Sequence, residues 1–79
     1  MKFAAMKVLK TIEVDFPDLA EKIKNARIND PRSISEICRQ LDMSRTHWYR
    51  IEEGNLSLPL ETLRKIEAVL GVDFKVNID

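Results

Sequence analysis

The residue types that most often carry chemistry are thinly spread in this chain. Cys38 is the only cysteine and His47 the only histidine. A lone thiol excludes an internal disulfide, and its place on an apolar helical stripe favours a buried structural thiol over a redox sensor. His47 has no Cys or carboxylate at metal-ligand spacing. No nucleophile is paired with a base, no Gly-rich loop is built to hold a phosphate, and no two carboxylates are matched for acid–base work. The expectation is a protein that is not an enzyme and takes no metal or cofactor. What remains are side chains suited to contact rather than turnover, concentrated between Ser33 and Glu52.

Positioning those side chains requires helices, and the sequence punctuates them. Ser33 followed by Glu36 is a capping box, so a helix is predicted from Ile34, with Ile34, Ile37, Cys38 and Leu41 as its apolar stripe. Asp42 stands where the chain must bend sharply, in a conformation that Asp tolerates better than most residues. Ser44 is a second N-cap, opening a helix whose buried positions are Trp48 and Ile51, with Met43 plugging the corner. Trp48, on the same face as Ile51, reads as core rather than as a stacking platform.

Upstream, Asp18 and Glu21 repeat the helix-start grammar; Leu19, Ile23 and Ala26 point inward, and Asn29-Asp30-Pro31 stops the helix. Downstream, a helix is predicted from Pro59 or Leu60, burying Leu60, Leu63, Ile66 and Leu70 and closing at Gly71. Gly54 and Gly71 both fit helix ends.

The two ends of the chain carry a different period. Residues 72–79 alternate apolar and polar without a break, which is a strand signal. Residues 6–16 alternate less cleanly, with Val8, Ile12, Val14 and Phe16 on one side and Lys10 interrupting it. We read a second strand there; a helix over Phe3 to Leu9 is the minority alternative. A two-stranded ribbon is barely stable by itself, so the terminal strands are expected to pair with each other, either as a lid over the helices or across a dimer.

With 79 residues, 44% hydrophobic and 33% charged, the chain suits one compact soluble domain, at a size where dimerisation often supplies missing burial. We divide it into an N-terminal strand or arm (1–17), a helical core (18–71) and a C-terminal strand (72–79). No apolar run approaches a membrane span, and Phe3-Ala4-Ala5-Met6 is too short for a signal-peptide core, so a cytoplasmic location is expected.

The segment from Ser33 to Gly54 resembles the lambda Cro/repressor-type (XRE-type) helix-turn-helix family. The family pattern has aliphatic residues where Ile37, Leu41, Met43, Trp48 and Ile51 stand, a small residue at Cys38, and an Ile-Glu-x-Gly ending, here Ile51-Glu52-Glu53-Gly54. The likeness extends over residues 18–72, through the family's first helix at Leu19–Arg27 and a later one at Leu60–Val72. The fold it implies is mainly α: four helices (three to five) in a repressor-like helix-turn-helix domain flanked by the short terminal strands.

The function it implies is sequence-specific binding of double-stranded DNA, with the second helix of the motif in the major groove. Carried onto matching positions, the DNA-binding residues are Ser44, Arg45, Thr46, Tyr49 and Arg50, joined by Asn55 in the following loop. Arg45 and Arg50 would offer two-pronged donors to guanine, and the hydroxyls of Ser44, Thr46 and Tyr49 suit phosphate or base contacts. The plain alternative for each arginine is a solvated surface charge. Where relatives carry a DNA-touching Gln, this chain has Ile34. The family also pairs an Arg of the first helix with the Glu of its ending, which implies a salt bridge between Arg27 and Glu52 that orients the reading helix.

Charge weighs against simple DNA binding. Lys and Arg number 13, Asp and Glu 13, leaving zero, whereas duplex affinity leans on excess positive charge. From Pro31 to Arg50 the four basic residues Arg32, Arg39, Arg45 and Arg50 outnumber Glu36 and Asp42, a local balance of +2. Residues 54–58 contain no basic residue to meet a phosphate. Two classes follow: a transcriptional regulator binding a two-fold site as a homodimer, or a protein-interaction module of antitoxin or adaptor type that keeps the fold with a weakened DNA surface.

Overall fold

The computed structural model describes residues 6–9, 13–54 and 56–77. Its elements in order are β1 (Met6–Leu9), β2 (Glu13–Phe16), α1 (Leu19–Ile28), α2 (Ile34–Gln40), α3 (Arg45–Glu53), β3 (Ser57–Pro59) and α4 (Leu60–Leu70). The described residues are thus mainly helical, with four helices packed on one apolar centre.

Local chemistry sets the ends of the central helices. Ser33 Oγ accepts from the Glu36 N–H at 3.1 Å, and Ser44 Oγ accepts from the His47 N–H at 3.1 Å. Each hydroxyl thereby satisfies a first-turn donor that the helix cannot pair internally. The Ser33 box closes on one side only, because the Glu36 carboxylate accepts from Arg39 and Gln40 further along α2. Asp42 takes φ 53° and carries the chain round the corner. Gly54, at φ 73°, ends α3 in the left-handed conformation, which costs glycine nothing. Asp18 departs from expectation. It stands at the N-cap of α1 with φ −100° and ψ 4° and makes no side-chain cap bond, since an N-cap side chain reaches the first-turn donors only from extended backbone.

The core is a single cluster to which every helix contributes. Leu19 and Ile23 of α1, Ile37 and Cys38 of α2, Trp48 and Ile51 of α3, and Leu63, Ile66 and Leu70 of α4 are buried, with Ala26, Leu41, Met43 and Leu60 half-buried around them. Helix α1 packs on α3, and α2 on both α3 and α4. Burying one aliphatic side chain contributes about 1.5–3 kcal/mol, so these residues, not helix propensity, hold the short helices in place.

The ends of the chain correct the strand expectation. Residues 72–77 form no strand, and the expected pairing between the two termini is absent among the described residues. Instead β1 and β2 form an antiparallel pair with Val8 opposite Val14, and β3 joins β1 in parallel with Val8 beside Leu58, giving the order β2-β1-β3. The single N-terminal strand expected over 6–16 is two strands, Met6–Leu9 and Glu13–Phe16. The C-terminal alternation does place Phe74 and Val76 in the core. Lys75 between them lies at φ 62°, and that left-handed residue breaks the extended path a ladder requires. The tail is tied down without a ladder: Glu67 accepts from the Phe74 N–H at 2.8 Å, and Arg64 Nη2 donates to the Val76 carbonyl at 2.6 Å.

Among the described residues, no helix is long and apolar enough to cross a membrane.

Candidate nucleic-acid interface

Helix α3 divides cleanly into an inner and an outer face. Trp48 and Ile51 are fully buried, while Ser44, Arg45, Thr46, Tyr49 and Arg50 are all exposed. The five singled-out residues therefore share the outer side of one short helix and its cap. Asn55 lies outside the described residues.

Arg45 opens the helix, and no acidic residue accompanies it in the first turn. A cation there opposes the helix dipole, at a cost of about 0.3–1 kcal/mol. Arg45 Nη1 donates to Ser35 Oγ on α2 at 3.5 Å, so the guanidinium leans across the turn. Arg50 stands in the last turn, where its charge is favourable and a purely structural role is sufficient.

Behind the outer face sits the strut that fixes α3 against α1. Arg27 Nε donates to Glu52 Oε2 at 2.7 Å and Arg27 Nη2 to Glu52 Oε1 at 2.9 Å, a two-pronged bridge between residues from different helices. The side chains are 22% and 6% exposed. Trp48 Nε1 donates to Glu52 Oε2 at 2.5 Å, so the carboxylate accepts from three donors. The bond to Glu52 holds the Arg27 pKa above its ordinary value, against the opposing effect of burial. Arg27 Cζ also lies 6.0 Å from the centre of the Tyr49 ring, within the range in which a cation is drawn to an aromatic face.

Three of these partners were not visible in the sequence reading. The Trp48 indole as a donor to Glu52 had a signal, since the two residues are one helical turn apart. The Ser35 bond to Arg45 and the seat of Tyr49 on Arg27 had none, because both depend on where α1 and α2 come to rest.

The remaining reactive groups are placed as structural ones. Cys38 is buried, and burial pushes its thiol pKa up, away from the nucleophilic thiolate. No cluster of three or more His, Cys, Asp or Glu side chains suited to a metal ion occurs among the described residues.

No protein-family model, curated protein or solved structure matches this chain.

Proposed function

We propose that this chain is a sequence-specific double-stranded DNA-binding protein, a transcriptional regulator of the lambda Cro/repressor-type helix-turn-helix kind, with α3 as its reading helix. One observation carries the proposal. Every side chain assigned to base or phosphate contact on Ser44–Arg50 is exposed on one side of α3, while Trp48, Ile51 and the Arg27–Glu52 bridge hold the other side rigidly to the body. Rigid presentation matters because base readout depends on aiming hydrogen-bond donors within a groove.

In this reading Arg45 and Arg50 donate to guanine edges, Ser44 and Thr46 bond phosphate oxygens, and Asn55 meets the backbone beside them. Zero net charge keeps non-specific affinity low, so two copies act together on a two-fold site, with half-sites about one helical turn apart. The same zero charge favours the second reading, a protein-interaction module of antitoxin or adaptor type.

Fluorescence titration with a pool of random duplexes separates the two. The regulator selects one motif and loses it when Arg45 and Arg50 are both changed to Ala; the module binds every duplex equally and feebly. Light scattering on the same samples gives the number of copies bound per site.

A further inference from the structure

The outer face of α3 carries two kinds of group. Arg45 and Arg50 are flexible donors, whereas Tyr49 is a ring, 44% exposed, seated on a guanidinium from another helix. That guanidinium cannot follow the ring, because Arg27 Nε and Nη2 are both committed to Glu52. Glu52 is in turn pinned by the Trp48 indole at 2.5 Å. The order of constraint runs from the buried Trp48 through Glu52 and Arg27 to the Tyr49 ring. Attraction between an exposed cation and a ring favours the seated orientation about two- to fivefold over orientations that leave it.

A ring held this way has one side backed by the cation and its remaining apolar surface directed away from the body. The major-groove edges of base pairs are almost entirely donors and acceptors, with one apolar group among them, the thymine C5-methyl. We propose that Tyr49 reads a thymine methyl and that Arg27, from α1, is the positioning residue that sets its ring. The proposal rests on α3 being the DNA-reading helix. It adds one base identity to the expected site and gives the Arg27–Glu52 bridge a part in specificity as well as in stability.

The test uses the full chain and the motif it selects from random duplexes. Each thymine of that motif is replaced singly by deoxyuracil, which deletes only the methyl, and binding is measured by fluorescence anisotropy. One position in each half-site is expected at which the replacement weakens binding about fourfold, the factor for burying one methyl-sized group. Tyr49→Phe keeps the ring and should keep that ratio; Tyr49→Ala should bring it to one. The double variant Arg27→Met with Glu52→Met removes both charges together, so no unpaired ion is left inside. It should melt cooperatively by circular dichroism and bring the ratio close to one, with Arg27→Lys between it and the parent chain.

A selected motif with no methyl-sensitive thymine overturns the proposal. So does a ratio unchanged in a folded Arg27 variant, or one that Tyr49→Phe abolishes. Selection of no motif at all overturns the DNA reading itself, and this inference with it.

Discussion

Glu52 and Glu67 solve the same problem in two regions of the molecule. Each carboxylate accepts from an arginine and from an N–H group. Glu52 takes Arg27 from a distant helix and the Trp48 indole, whereas Glu67 takes Arg64 from one turn earlier on α4, at 2.8 Å, and the Phe74 backbone N–H. Exposure separates them: the Arg27–Glu52 side chains are 22% and 6% exposed, those of Arg64 and Glu67 38% and 12%. The first bridge sets the angle between two elements of the body. The second fastens a tail to the helix that precedes it. Equivalent hydrogen bonds thus carry unequal consequences, because stability depends on what is left unpaired and on how much of the core moves when a bond is lost.

The sharpest way to break this comparison is Glu52→Ala. It leaves the Arg27 charge and the Trp48 N–H without a partner inside the α1–α3 contact, and should cost about 3 kcal/mol by urea denaturation, near the lower bound for orphaning one member of a buried ion pair. Under the proposed function, sequence selectivity should fall with it. Trp48→Phe removes one donor and some core volume while Arg27 stays paired, for about 2 kcal/mol in the same assay. Glu67→Ala should cost only about 1 kcal/mol, the worth of an ordinary hydrogen bond. Its effect should be local: hydrogen exchange quickens at the Phe74 amide while duplex binding holds. Equal losses for Glu52→Ala and Glu67→Ala would erase the distinction.

A pH titration probes the last turn of α4 from its other side. The bond from Arg32 holds the Asp30 carboxyl at about 2, down from 3.8. A depressed pKa means that the contribution is complete above about 4 and is lost as pH falls from there toward 2. Stability should decline across that window, and Asp30→Asn should flatten this part of the decline, the smallest effect of the four.

How far the sequence discloses the structure depends on the range of the interactions. Ser33, Ser44 and Gly54 act on neighbours within one turn, and their helix boundaries can be read directly. Asp42 at the bend belongs to the same class. Arg27 and Glu52 are far apart in sequence; they were paired through the family pattern, and nothing in their local spacing would have joined them. The strands show where such reading ends. Alternation over residues 72–79 puts Val72, Phe74 and Val76 on one face, yet Phe74 and Val76 are buried while Val72 is exposed; periodicity names a face and not a partner, and one left-handed residue at Lys75 breaks the ladder. The third strand is too short to declare itself: Leu56, Leu58 and Leu60 alternate with Ser57 and Pro59 across the approach to α4, a run that reads as loop. The seat of Tyr49 on Arg27 required knowing the path of α1.

Arg32 holds a connection that looks permissive. Its guanidinium donates to both oxygens of Asp30, to the Gln40 side chain at the end of α2 at 3.2 Å, and to the Val69 carbonyl in the last turn of α4 at 2.5 Å. With Pro31 and several exposed positions, the stretch between α1 and α2 looks like ordinary slack, the kind of place where an extra residue is usually tolerated. One planar group spanning three anchor points gives it a fixed length instead. An added residue there would shift the guanidinium off all of them in a single step, making this short bend a poor choice for grafting a tag or a peptide.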